Sequence, residues 1–404
     1  MKPFKITISV ILCFALVCSG VVASAATVSS ECDISDIEIP IDATVTDAAI
    51  GTQLDIKAKS AILMEVNTGE ILYEMNADEQ LPPASITKIM SLLLVMEAID
   101  RKERSVEDVV TASEHACSMG GSQIWLEPGE TMTVDDLLKA AVIASANDAT
   151  VALGEQIAGS EEGFVSMMNA RAAELGMTAT NFANATGLDA EGHISSAHDV
   201  AIMSAELIKH DLIKNYSTVW MDTLRDGESE LVNTNKLVRF YEGTTGLKTG
   251  TTSGAGYCLS ATAERGGLEL VAVIMSGDTS QDRFNGAKKL LDYGFANYAY
   301  SDIAPELDGI TSVNVKGGVL PQVKIEAREN FNILMKKSEA TGITQTVTLP
   351  ENVTAPVTIG DTIGTVDFYS GDTQIGSVNI TAAENVDRMT LFTAFLWILD
   401  GLLK

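Results

Sequence analysis

The chain is 404 residues long and 46% hydrophobic, enough to bury one large core and a smaller one, so two domains are expected. Its 55 acidic residues against 27 basic ones give a formal charge of −28, which excludes nucleic acid as a partner, since phosphate binding needs a basic footprint. The four histidines form no HExxH-type pair, and Cys32, Cys117 and Cys258 show neither metal-type spacing nor close pairing, so metal catalysis and a disulfide framework lack support.

Residues 1–26 read as an export signal. Lys2 and Lys5 supply the charged start, residues 8–17 the apolar core and Ala23-Ser24-Ala25 a small-residue cleavage site. Residues 27–52 are acidic and β-branched without firm periodicity, as in an arm or spacer. Residues 61–66 and 71–75 flank Asn67-Thr68-Gly69-Glu70, a hairpin signature. Leu81-Pro82-Pro83-Ala84 then stops the extended chain, and Ser85 opens a helix that is apolar nearly all round and so belongs in a domain centre.

Glu127-Pro128-Gly129-Glu130 is a turn, and Thr133 is placed to cap a helix from Val134, with Asp136 three residues on. Ser145-Ala146-Asn147 falls between that helix and the next. Beyond Gly243 the pattern turns to period two, giving strands over 248–251, 257–263 and 268–275, with a closing helix over 287–297. Helices between early and late strands indicate an α/β (α+β) catalytic domain with an antiparallel sheet, assigned to 53–298.

From residue 299 to 386 Val, Ile, Thr and Gly dominate, with frequent turns, as in a small all-β domain. The tail, 387–404, places Thr390, Thr393, Trp397, Asp400 and Lys404 on one narrow polar stripe of a helix and covers the rest with Phe and Leu. It falls short of the roughly 20 residues that cross a bilayer, and is expected to lie on a membrane surface as an amphipathic helix.

Three motifs carry chemistry: Ser85-Ile86-Thr87-Lys88, Ser145-Ala146-Asn147 and Lys248-Thr249-Gly250. Each alone is weak; their joint order is specific. Residues three apart share a helix face, so Ser85 and Lys88 bring a hydroxyl beside an amine. A serine is a poor nucleophile until a base takes its proton, and a lysine does so only when neutral. Burial and a second cation, for which Lys248 is the candidate, both favour the neutral form of Lys88. Ser145 is the expected proton relay to the leaving amine, while Lys248 stays charged. Asn147 is expected to hold Lys88 and a substrate carbonyl, and Thr249 a substrate carboxylate. Gly250 lets a peptide pair along the strand, and the N–H groups of Ser85 and Thr251 are the candidate oxyanion donors.

With these residues in place the chain closely resembles the low-molecular-mass penicillin-binding proteins that act as serine-type D-alanyl-D-alanine carboxypeptidases. The likeness extends to Met119-Gly120-Gly121-Ser122, Leu126-Glu127-Pro128-Gly129-Glu130, Gly187-Leu188-Asp189 and Asn233-Thr234-Asn235-Lys236-Leu237. It implies the serine β-lactamase/DD-peptidase-like fold and removal of the terminal D-alanine from peptidoglycan stem peptides through a Ser85 acyl-enzyme. It also implies covalent inhibition by β-lactams, no cofactor, and attachment to the outer face of the cytoplasmic membrane through the C-terminal helix. Thr234 stands where some members carry an arginine, so the resemblance passes substrate-carboxylate binding to Arg283. Thr251 replaces a histidine found after the motif in other members.

Three alternatives stand beside this reading, one of them endopeptidase or transpeptidase action on cross-links by the same site. A class A β-lactamase needs an ExxLN segment, and none lies between Ser145 and Lys248. A non-catalytic β-lactam sensor or wall-binding protein would not need the intact set Ser85, Lys88, Ser145 and Lys248. Cys117 is expected to be a buried inert thiol, and His193 and His198 to be structural.

Overall fold

Period-two segments from opposite ends of the first 300 residues meet in one sheet. The computed structural model describes residues 54–339 and 342–403; the expected export signal, the arm and Cys32 lie outside them. Five antiparallel strands run in the order Ile71–Met75, Ser60–Glu65, Leu268–Gly277, Gly256–Arg265 and Thr244–Thr252. The hairpin at 67–70 forms as expected. Alternation along the strands sends Ile62, Met64, Val271, Val273 and Met275 into one core and Ala61, Leu63, Leu270, Ala272 and Ile274 into another, so the sheet is covered on both faces.

The helix Lys88–Asp100 lies in the first core, with every residue from Lys88 to Met96 buried. Helices Asn147–Ala158, Glu161–Glu174 and Ala197–Ile208 pack around it. Thr133 caps the helix Val134–Ile143 by accepting the Asp136 N–H at 3.1 Å, as its position in the sequence predicts. The closing helix is longer than expected: it spans Ser280–Asn297 and starts at a Thr279 cap that accepts from Asp282 N–H at 3.1 Å. Its polar first turn carries no apolar period, which hides it from pattern reading. That turn contains Arg283.

The chain then enters the strand Tyr298–Ile303, which pairs with Phe331–Lys336. A six-stranded sheet follows, in the order Ile343–Thr348, Thr362–Ser370, Thr373–Ala382, Gln322–Glu326, Ser312–Lys316, Asn352–Thr354, around a core that includes Val323, Val366, Phe368 and Ile380. The last element is the helix Leu391–Leu403.

Candidate active site

Ser85 does not open an α-helix directly. It sits in a 3-10 turn, Ala84–Thr87, that runs into the buried helix at Lys88. In 3-10 geometry residues i and i+3 eclipse, so Lys88 Nζ comes to 3.1 Å from Ser85 Oγ. Ala84, just before the serine, is held at φ 49°, in the left-handed region that disfavours a side chain by roughly 1–2 kcal/mol. Two glycines press on this turn: a Cβ on Gly187 would lie 1.9 Å from Ala84 O, and one on Gly250 would lie 2.8 Å from Ser85 N.

The second motif lies on the expected interhelical loop. Ser145 has φ 62°, and Asn147 begins the following helix with its N–H on Ser122 O at 2.7 Å. Asn147 Nδ2 donates to Gly120 O at 2.6 Å, which leaves Oδ1 buried without a partner. The expected bond from Asn147 to Lys88 is not made: the amide is drawn to the 119–122 loop, and Lys88 takes Thr186 O at 2.8 Å instead. Ser145 is buried in the same region, but among the described residues the partners of Lys88 and Lys248 are Ser85 Oγ, Thr186 O and Thr249 O.

Lys248, Thr249, Gly250 and Thr251 lie on the sheet's edge strand, Thr244–Thr252, whose outer side presents alternate unpaired N–H and C=O groups. The Asn-Thr-Asn segment laces into this strand. Asn235 Nδ2 donates to Gly246 O at 3.0 Å, and Thr234 Oγ1 accepts from Thr249 Oγ1 at 2.7 Å. Arg283 is only 8% exposed, and its contacts among the described residues are not those of a surface ion pair. Its Nη1 donates to Gly250 O at 3.0 Å and to Thr251 Oγ1 at 2.9 Å, and its guanidinium lies over the rings of Tyr257 and Phe284.

Both lysines are nearly inaccessible, at 0% and 1% exposure, and neither has a carboxylate partner among the described residues. Burial holds the Lys88 amine well below the ordinary lysine value, and the charge of Lys248 lowers it further while Asp148 opposes both. Burial, assisted by Arg283, brings Lys248 down to about 7. Burial thus draws Lys248 toward its neutral form too, against the expectation that it stays charged. Arg283 is lowered by burial to about 10. The arrangement places an amine whose burial favours its neutral form 3.1 Å from a serine hydroxyl, beside an exposed strand edge.

Several contributors were beyond the sequence reading. Thr186 acts through its backbone carbonyl, which no side-chain motif reveals. Asp148, fully buried, accepts the N–H groups of Ile124 (3.2 Å) and Leu126 (3.1 Å) and so ties the segment that follows the Gly120–Ser122 loop to the asparagine motif. A cleft of about 510 Å³, lined by Ala84, Gly187, Asp189, His193, Ser253 and Gly254 among others, opens beside the serine turn. Cys117 is partly exposed rather than buried, with burial still pushing its thiol above the ordinary value. His198 pairs with Asp78 at 3.1 Å, consistent with a structural role.

The D-alanyl-D-alanine carboxypeptidase family model matches residues 46–279, and the penicillin-binding protein 5 C-terminal domain model matches residues 302–388. The chain is 42% identical over 346 residues to D-alanyl-D-alanine carboxypeptidase DacF of Bacillus subtilis, covering 85% of this chain and 89% of that protein. Identity to DacC of Escherichia coli is 35%, over 83% and 86% of the two chains. The structure resembles penicillin binding protein 5 from Haemophilus influenzae, with TM-score 0.68, 32% identity and coverage of 84% of this chain and 100% of that one. It also resembles penicillin-binding protein D2 from Listeria monocytogenes in its ampicillin-bound form, with TM-score 0.55, 35% identity and coverage of 60% and 100%.

Proposed function

The chain belongs to the D-alanyl-D-alanine carboxypeptidase family, peptidase S11, among the penicillin-binding proteins, and from that premise we propose how its own residues perform the hydrolysis. The substrate is a peptidoglycan stem peptide ending in D-Ala-D-Ala. Neutral Lys88 takes the Ser85 proton as Oγ attacks the penultimate carbonyl. The tetrahedral oxyanion is held by the N–H groups of Ser85 and Thr251. Ser145 and Lys248 pass a proton to the departing D-alanine, and water then resolves the acyl-enzyme. Arg283, with the hydroxyls of Thr249 and Thr251, receives the terminal carboxylate; Asn147 and the edge at Gly250 align the stem backbone. β-Lactams acylate the same serine.

The observation that carries this reading is the 3.1 Å contact between Ser85 Oγ and an amine whose burial favours its neutral form. Mass spectrometry of protein and product after incubation with diacetyl-Lys-D-Ala-D-Ala tests it. Wild type releases D-alanine, and Ser85→Ala releases none and takes up no ampicillin. Release by Ser85→Ala would sink the mechanism.

The proposed division is a catalytic domain at 53–298, a β domain at 299–386 and a surface-seeking helix at 387–404. The protein acts outside the cytoplasm, with its last helix on the outer face of the cytoplasmic membrane. Among the described residues no helix is long and apolar enough to cross a bilayer. Support for surface attachment is the exposure of Leu391 (94%), Phe392 (69%) and Leu402 (78%). Each such side chain fully buried in lipid contributes roughly 1.5–3 kcal/mol.

A further inference from the structure

Residues 181–195 form a loop closed over the serine turn. Its ends are tied by reciprocal backbone bonds between Asn181 and Ile194, at 2.9 and 3.1 Å. Ser195 then pairs with Leu81, at 2.8 and 2.9 Å, just ahead of the turn that carries Ser85. Within the loop, Asn184 Oδ1 accepts the N–H of Thr186 at 3.1 Å and of Gly187 at 2.7 Å, which aims Thr186 O at Lys88 Nζ. His193 is 3% exposed and bonded on both ring nitrogens. Nδ1 accepts the Ala183 N–H at 2.9 Å, so the ring proton sits on Nε2 and is donated to Thr87 Oγ1 at 2.8 Å. Thr87 stands between nucleophile and base in the chain.

We propose that His193 is a positioning residue for acylation: through Thr87 it fixes the 3-10 turn on which Ser85 and Lys88 eclipse, while Asn184 fixes the carbonyl that orients the Lys88 amine. This rests on the reading of Ser85 as nucleophile and Lys88 as base. A neutral amine has two N–H donors and one lone pair. Giving one N–H to Thr186 O restricts the amine's rotation and leaves the lone pair of the neutral form free to face Ser85 Oγ, 3.1 Å away. The loop therefore acts at two points, one on each side of the reacting pair. It also keeps water from Lys88, whose charge state is set by burial, by Lys248 and, in opposition, by Asp148. His193 itself is held neutral by burial, with its pKa lowered to about 4 and only Asp189 opposing, so it does not titrate in the working range.

The test is the acylation rate of the full mature chain by a fluorescent penicillin from about pH 5 to 9, expressed per acylatable site as counted by mass spectrometry. His193→Ala should lower that rate roughly ten- to a hundredfold, the cost of a misplaced reacting pair. Looser packing should let Lys88 recover part of its ordinary basicity, moving the acidic limb of the profile up by about one pH unit. His193→Gln, which keeps an N–H near the Nε2 position, should recover most of the rate. Asn184→Ala, which frees the carbonyl that accepts from Lys88, should lower the per-site rate as well and move the acidic limb the opposite way, because the protonated amine loses an acceptor. Should His193→Ala fail to fold, the glutamine and Asn184 variants still decide the matter. An unchanged per-site rate and an unmoved acidic limb, with only the acylatable fraction reduced, would make the histidine a folding residue and overturn the proposal. Acylation of Ser85→Ala would instead overturn the nucleophile assignment on which it rests.

Discussion

The two ends of the described chain treat burial in opposite ways. Around Ser85, two lysines, a serine and an asparagine are buried at 0–4% exposure, and among the described residues no carboxylate bonds to either lysine. In the last helix, side chains that belong in a core stand in solvent, Leu391 at 94% and Phe392 at 69%. Each is unfavourable for the isolated fold. Desolvation at the first site raises the free energy of a charged amine, and so makes a base. Exposure at the second leaves hydrophobic free energy to be gained on association. In the proposed function the first site meets a peptide and the second a membrane surface.

That contrast can be broken most severely at Ser85. Ser85→Ala should reduce acylation and D-alanine release by at least about 10⁴-fold, read by product mass spectrometry, with vesicle binding untouched. Lys88→Met should lower acylation by roughly 10²–10⁴-fold while raising Tm by about 2–4 °C, because an apolar chain replaces an uncompensated amine. A fall in Tm would mean that the lysine is stabilising and the burial argument is wrong. Phe395→Asp with Leu399→Asp should weaken co-sedimentation with anionic vesicles roughly a hundredfold and leave carboxypeptidase activity in solution within a factor of about two.

The pH dependence of stability sharpens the same point. Lys248 has a folded pKa of about 7, below the unfolded value near ~10.4, so the unfolded chain binds the extra proton between those limits. Stability contributed by this group therefore rises with pH from about 7 to 10 and is flat below. Chemical denaturation at several pH values should show this rise in wild type and lose it in Lys248→Met. The smallest effect belongs to a helix end remote from both sites: Thr133→Ala removes the cap on Asp136 N–H and should cost about 1 kcal/mol, with acylation per active site unchanged.

The parts legible in the sequence were those written in local spacing. The hairpin at 67–70, the Thr133 cap, the all-round apolar helix after Lys88 and the period-two strands after Gly243 each depend on residues within a few positions of one another. The order of the three motifs likewise requires no fold to be seen. That Lys248 lies on a strand followed from periodicity, whereas its place at the sheet edge came only from the fold. The seven residues that begin the closing helix were hidden because their polar turn is defined by the Thr279 cap rather than by an apolar face.

The sequence by itself thus singled out the groups proposed to do the chemistry and the kinds of elements on which they sit. Tertiary structure alone decided the state they are in. The neutral tendency of Lys88 comes from complete burial and from Lys248, and its orientation comes from Thr186 O, 98 residues away. The turn beneath Ser85 is pinned by His193 across 106 residues. Desolvation and hydrogen-bond direction are properties of what surrounds a side chain, and those surroundings are assembled from distant segments only when the chain folds.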